Sequence, residues 1–579
     1  MLRAKISHLL ACSAILMTSL TASGQTTKVI SDQILPQDTY LYVSFPNITQ
    51  MKDYMSSSSM GQMWNDAALD DFKAELHSAF DSDLQEGLMQ VQEAIGMSVE
   101  ELLQIPSGEM TMAISGGPSN TMGAVMFMDF GDKESQVSDL LDRAANALGG
   151  VPRLVREDES FDGTDLTMFR VQYDGPVPTP LGKEFGWFVK DERLVFANRI
   201  ELLESVLSNW DGESTDNFAS NDKYSYIMSK CQSGDRTSLT TFYMDPIGLF
   251  EKLVQTGSLG QQATMGAGMA VGFLPTLGLN QMKAFGTVSE AGQGPFEAIS
   301  RGVFYAEQPP RAVMEIFQLD ATDSTPPDWV KDNVTAYIAT KWKIGEAFTA
   351  VENLVDMFSG PGTFADQLNQ LADREPGIHI KHDIVEQMTG EIKVITAPGE
   401  GAGYGGDQVL FSLGVRDDEG ANAVLSKIAN AAGMDSRDFR GAEIFEVEGP
   451  ENQSVKLTVS QGRMLLCIGG PLLEQVLLND SDMKPLSASE EFRKIAEHFP
   501  ASALSVQFSR PAEQYRGLYE MLRSGEAADQ FPGMDEIFAR LDFTTLPPYE
   551  SVSKYIKPTG GFTKEDENGM YMEAFQLKD

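Results

Sequence analysis

Met314-Glu315-Ile316-Phe317-Gln318-Leu319 returns near the C-terminus as Met572-Glu573-Ala574-Phe575-Gln576-Leu577, with five of six positions identical. Further matches run back towards the N-terminus in the same order. Leu202–Asn209 resembles Leu472–Asn479, Arg193 answers Arg463, and Phe161-Asp162-Gly163 answers Phe439-Arg440-Gly441. Gly108-Glu109 then matches Gly390-Glu391, and Tyr42-Val43 matches Tyr337-Ile338. The spacing falls steadily from 295 at the tyrosines to 258 at the last match, as a second copy with shorter loops requires. A collinear series of this kind points to an internal repeat. The expectation is two diverged tandem copies, 35–320 and 329–579. Residues 321–328 would join them, a short polar stretch whose Pro326-Pro327 gives it stiffness.

Each copy reads as α+β, an antiparallel sheet with helices packed against it. Tyr40 to Phe45 is rich in β-branched and aromatic residues and opens the first copy as a strand. Leu69, Phe72, Leu76 and Phe80 mark a helix face that Leu84, Leu88, Val91 and Ile95 continue. Ser98 and Glu101 have capping-box spacing. Strands are expected at 109–115 and 123–130, followed by a helix burying Val137, Leu140, Leu141, Ala144 and Leu148. The second copy repeats that order with strands at 391–396 and 408–415 and a helix carrying Val424, Leu425 and Ile428. Short glycine-rich links between successive strands imply antiparallel pairing.

The N-terminus reads as an export signal over 1–24. Arg3 and Lys5 precede the largely apolar run Leu9–Leu20, and Ala22-Ser23-Gly24 offers small residues before Gln25. The run is too short to span a bilayer. Lipidation at Cys12 is the alternative, disfavoured because the apolar run continues past it. The chain is therefore expected in the periplasm or outside the cell. Cleavage removes two cations and raises a net charge of −40 to −42. That charge excludes nucleic acid as a partner and disfavours anionic lipid. Cys231 and Cys467 remain, read as buried thiols, with one bridge between them as the alternative. Asn47, Asn333 and Asn452 match the glycosylation pattern, relevant only in a host that glycosylates.

Motifs that could carry chemistry mostly have simpler readings. Gly401-Ala402-Gly403-Tyr404-Gly405-Gly406 has the spacing of a dinucleotide-binding loop, but it links two expected strands where that chemistry needs a helix N-terminus. Asp158, Ser160, Asp162 and Gly163 imitate half a calcium loop, but the twelfth position is Phe169, so a tight turn is expected. His379 and His382, beside Asp383, form the most metal-like cluster; an extended backbone there would send them to opposite sides. Ser220/Lys223, Ser481/Lys484 and Ser551/Lys554 fit a serine–lysine spacing without companion motifs. The 29 methionines, clustered at 55–63 and 122–128, could bind copper(I) but are assigned to packing. Leu253 to Met282 contains no charged residue. It is expected to be a partly buried connector, with contact to a partner or membrane as the alternative.

Leu35-Pro36, Tyr42-Val43-Ser44, Gly108-Glu109, Phe161-x-Gly163 and Leu546-Pro547-Pro548-Tyr549-Glu550 together resemble a family of exported bacterial proteins of planctomycete type built on a domain of unknown function. The resemblance covers nearly the whole mature chain and implies export, with no activity, cofactor or site residue to carry over. No catalytic, cofactor-binding or metal-ligating residue is assigned. Three classes stay open: a non-enzymatic binding or scaffolding protein, which is favoured, an enzyme without recognisable motifs, and a lipid-handling protein using 253–282. Protein purified from its own host is expected to begin at Gln25. An intact mass retaining 1–24, or one carrying acyl chains on Cys12, would contradict this.

Overall fold

The computed structural model describes residues 28–76, 99–117, 121–172, 183–232, 238–257, 261–399, 407–449, 454–527 and 535–579, and positions 78 and 97. Its frame is a single antiparallel sheet of 21 strands. In the first part of the chain the strands are β1 (Thr39–Phe45), β2 (Met110–Gly117), β3 (Thr121–Asp129), β4 (Leu154–Phe161), β5 (Thr164–Val171), β6 (Glu184–Lys190), β7 (Arg193–Ala197), β8 (Ser238–Met244), β9 (Met282–Ala291) and β10 (Phe296–Ala306). There follow β11 (Leu319–Asp320), β12 (Ala336–Trp342), β13 (Met388–Pro398), β14 (Asp407–Val415), β15 (Asp435–Phe439), β16 (Ala442–Glu448), β17 (Ser454–Ser460), β18 (Arg463–Ile468), β19 (Ala503–Ser509), β20 (Thr559–Asp566) and β21 (Gly569–Leu577).

At the middle of the sheet β10 pairs with β21, from Phe296 opposite Leu577 to Tyr305 opposite Gly569. Outward from that pair the order is β9, β8, β1, β2, β3, β7, β6, β5, β4 on one side. On the other side it is β20, β19, β12, β13, β14, β18, β17, β16, β15. Two separate sheets, one per copy, were the expectation; a shared one is found. Only β11 lies outside this order, extending β12 at Leu319–Trp342.

Alternation decides what each face does. On one face Tyr42, Val125, Val195, Tyr243, Val288 and Val303 continue without a break into Tyr337, Ile395, Leu465, Val506, Phe562 and Phe575. The helices Ile200–Ser208, Asp222–Cys231, Leu472–Leu478 and Glu490–Ala496 bury their apolar sides on it. The opposite face is sealed at its far ends. Val137 and Ala145 of the helix Glu134–Gly149 pack on Phe169 and Trp187, and Ala421, Leu425 and Ala429 of Asp418–Ala432 pack on Phe445 and Val459.

Between those ends, helical connections form two arms. The first joins the β1–β2 connection to the β19–β20 connection: Leu69, Phe72 and Met63 pack on Tyr519, Tyr549 and Val552. Asn47 starts this connection by accepting the Gln50 amide hydrogen as an N-cap, and Ser58 does the same for Gly61. The second arm combines Pro246–Gln255, Gln261–Phe273 and Val313–Ile316 with Ile344–Ser359 and Thr363–Ala372 from the β12–β13 connection.

Several expectations land within a residue or two, among them β1, β2, β14 and the helix over Val137–Leu148. Others need correction. Met314–Ile316 belongs to a short helix whereas Met572–Leu577 lies in β21, so the match that first suggested repetition is not an equivalence of structure. The methionines at 122–128 are half-buried, and of them Met128 packs against the Phe130–Val137–Phe169 cluster. Met110 opposes Met128, and Met112 opposes Met126, on the half-open face, where Met112 is exposed. Phe80, Leu84, Leu88, Val91, Ile95, Ser98, the loop 401–406 and Asn452 lie outside the described residues.

The centre of the β10–β21 pair is Arg301 opposite Glu573. The guanidinium donates to Glu573 at 3.0 Å and to Glu290 at 2.9 Å, and Glu290 is only 1% exposed. Burial alone would pull the Arg301 pKa down, but the Glu290 hydrogen bond and the two carboxylate charges outweigh it and hold the guanidinium above its ordinary value. Arg301→Ala leaves two carboxylates facing each other without the cation between them, and it is expected to cost about 3 kcal/mol in urea unfolding. A loss below about 1 kcal/mol, the range of an exposed pair, would contradict a structural role.

Candidate functional site: an uncharged arm

The described part of the uncharged stretch, 253–257 and 261–281, lies in the second arm, with Gln261–Phe273 towards its tip. Its base is tightly held. Asp245 caps the helix Pro246–Gln255, accepting the Gly248 amide hydrogen at 2.7 Å, and is itself paired with Lys223. Gln281, 1% exposed, donates to the Pro309 carbonyl at 2.8 Å and accepts the Arg311 amide hydrogen at 2.7 Å. Gly278 sits at φ 73°, and a Cβ there would meet the Arg311 carbonyl oxygen at 2.2 Å, so this turn requires glycine.

From that base the helix Gln261–Phe273 projects. Thr264, Ala267 and Val271, spaced for one helix stripe, are half-buried, the helix resting on Pro246–Gln255. The other described positions from Ala263 to Phe273 are exposed: Met265 is 74%, Met269 66% and Phe273 51% accessible. Gly266, Gly268 and Gly272 face open space, so no close packing explains them. Each glycine lowers helix propensity by about 1 kcal/mol, so sequence preference does not account for this helix either. Phe273 meets Phe358 of the neighbouring helix at a centroid separation of 6.4 Å; Met357, Phe358 and Phe317 are also more than half exposed. Six of the eight large apolar side chains that are more than half exposed among the described residues therefore belong to this arm. A partly buried connector was the expectation for 253–282; Leu274 and Gln281 are buried as it requires, but the outer side of Gln261–Phe273 is exposed beyond it.

The first arm differs in kind. Asp66 binds Lys554 at 2.9 Å and Tyr555 at 2.8 Å, and Arg516 binds Glu550 at 3.0 Å. The Ala68 amide and then the Lys554 and Tyr555 hydrogen bonds hold the Asp66 carboxyl well below its usual range. Its surface is charged and cross-linked, whereas on the second arm charge and the Lys381–Glu352 pair belong to the β12–β13 connection and the helix Gln261–Phe273 has none.

Titratable groups do converge elsewhere, but inside the protein. Glu109, buried on β2's approach, accepts from the Ser31 amide and hydroxyl, from Thr111 at 3.1 Å and from Arg193 at 3.4 Å. Ser31 also contacts Tyr42 at 3.1 Å, and Tyr224 donates to Asp32 at 2.9 Å. Ser31, Tyr42, Glu109, Thr111 and Tyr224 are all less than 5% exposed. The segment Lys28–Gln33 closes over this network, with Lys28 on Asp129 and the Val29 carbonyl accepting from Arg193. A shallow hollow over the β10–β21 seam is walled by Phe296, Ile299, His498 and Phe575, where Arg301 is already held by its carboxylates.

His379 and His382 are brought together, against the expectation of opposite sides. The backbone at Ile380–Ile384 winds as a π-helical turn, which stacks the two rings at 4.3 Å. The His379 Nδ1 accepts the His382 amide hydrogen and His382 Nδ1 lies 3.1 Å from Glu386. No group of three or more His, Cys, Asp or Glu suited to a metal occurs among the described residues. Asp158, Ser160, Asp162 and Gly163 form the β4–β5 hairpin, with Asp162 and Gly163 both at positive φ. Lys223 is committed to Asp245 and Lys554 to Asp66. Cys231 and Cys467 are buried unbridged thiols, pushed up to about 12 and about 11 by burial. No family model, curated protein or solved structure matches the chain.

Burial raises the Asp32 carboxyl to about 6, against a weaker lowering by the Tyr224 hydroxyl and with some help from the Glu109 charge. A folded pKa above the unfolded one means that folding keeps the proton. The Asp32 contribution to stability is therefore fullest below about pH 4 and is lost as pH rises through about 6. Asp32→Asn is expected to match the wild type in urea unfolding at pH 4 and to exceed it by roughly 1–3 kcal/mol at pH 7. A variant less stable at pH 7 would contradict the assignment.

Proposed function

We propose that the chain is an exported, non-enzymatic binding protein built from two diverged copies of one α+β unit, and that it binds through its uncharged arm. Duplication is supported by the strand order, which runs outward from β10–β21 through matching connections on both sides. Five sequence matches besides the Met314/Met572 pair also fall at like positions. Arg193 and Arg463 open β7 and β18, Tyr42 and Tyr337 are buried in β1 and β12, and Gly163 and Gly441 occupy hairpin turns at positive φ. Gly108-Glu109 lies just before β2 and Gly390-Glu391 just inside β13, and Leu202–Ser208 and Leu472–Leu478 are helical.

The observation that carries the binding function is the contrast between the arms. Built from corresponding connections, one is laced with ion pairs, whereas the other exposes Met265, Met269, Phe273 and Phe358 on a chain of net charge −40. Contiguous apolar exposure on a soluble, highly charged surface marks a place of contact. The non-enzymatic reading is supported by the sealed state of the Ser31–Glu109 network, where substrate has no path to the hydroxyl.

Fractionation of the native host tests this. The wild-type chain is expected to sediment in part with cell-envelope material, and Met265→Glu/Met269→Glu to shift to the soluble fraction with unchanged circular dichroism. Identical fractionation of both would overturn docking through this arm.

A further inference from the structure

We infer that the occupant of the uncharged arm is a lipid bilayer of neutral, zwitterionic headgroups, into whose surface the helix Gln261–Phe273 sinks; this rests on the docking role proposed above. The first ground is shape. A protein partner with a flat interface covers one side of a helix, and an interfacial amphipathic helix keeps a polar side for water. Here every described position from Ala263 to Phe273 outside the Thr264–Ala267–Val271 stripe is exposed, and none is charged. A helix apolar on all its open sides calls for a medium that surrounds it. Thirteen residues span about 20 Å, short of the roughly 30 Å hydrocarbon core, so the helix enters one leaflet and does not cross. No helix among the described residues is long and apolar enough to cross a membrane.

The second ground is charge. A second copy would bring its own −40 towards this chain's −40, and an anionic lipid surface would be repelled in the same way. A cationic partner would settle on the acidic remainder of the surface, away from the one segment, Leu253 to Met282, that has no charge to offer. A zwitterionic surface has no net charge and does not oppose the approach. Phe273 and Phe358, in contact, place an aromatic pair beside the methionines where the arm would meet the headgroups.

The test uses the exported form of the chain and vesicles of pure phosphatidylcholine. The native thiols are buried and pushed up in pKa, so a cysteine introduced as Met269→Cys takes an environment-sensitive label selectively. Expected are co-flotation with the vesicles, a blue shift of the label, weaker binding when phosphatidylglycerol is added, and at least about a tenfold loss of binding in Met269→Glu. Met60→Glu, on the charged arm, should bind as the wild type does. No flotation and no blue shift would overturn the lipid assignment. If the labelled chain then forms a dimer that Met269→Glu abolishes, the arm docks on a second copy and the apolar-docking role survives without lipid. If the arm neither floats, dimerises nor fractionates with the envelope, both inferences fall.

Discussion

Nine residue pairs between β10 and β21 make one sheet out of what would otherwise be two. The pairing has no alternative partner that would keep each half closed: without β21, β10 would be an open strand edge flanked only by β9, and β21 would likewise have only β20. Exposed edges of this length invite aggregation. Pairing them removes both edges at once and lets a single apolar core run from Tyr42 to Phe575 under four helices. Arg301 fixes the register, since a shift of one residue would send its side chain to the opposite face and leave Glu290 buried without it. The arms follow from the same constraint. Each draws on connections of both halves, the second arm adding Val313–Ile316 from the β10–β11 connection, which requires the halves to be held at a fixed relation.

That arrangement holds two arms with different surfaces. One arm is closed by Leu69, Phe72, Tyr519 and Tyr549 and tied by ion pairs at its rim. The other is pinned at its base through Gln281 and Asp245 and left apolar at its tip. Rigid base and bare tip together are what a docking element needs, because little ordering remains to be done on contact. The glycines at 266, 268 and 272 leave the helix with little side-chain bulk and no internal reason to be exposed.

Much of the fold was legible because local signals agreed with the final environment. β1 reads as a strand from Tyr40 to Phe45, and Val137, Leu140, Leu141 and Leu148 trace the packed side of their helix. The joining of the halves was not legible, since strand partners distant in sequence leave no periodic trace: nothing in Phe296–Ala306 names Gly569–Leu577 as its neighbour. The most similar hexapeptides misled because the same residues serve different periods, a helical turn at Met314–Ile316 and a strand at Met572–Leu577. Of the candidate site, the absence of charge over 253–282 was visible, but its exposure was not. An apolar helix reads alike whether it is covered or bare, and only the packing decides. The histidine pair failed for a related reason, as a π-helical turn has no sequence signature that separates it from an extended segment.

The central claim is that the mid-chain strand β10 and the C-terminal strand β21 meet as neighbours. Ser300 and Ala574 are directly opposed across the seam on the half-open face. Ser300→Cys/Ala574→Cys, purified and oxidised, should form an intrachain disulfide in high yield, seen as a linked peptide pair after proteolysis and as a monomer on non-reducing gels. Failure to form the bridge, or bridges found only between chains, would contradict the account.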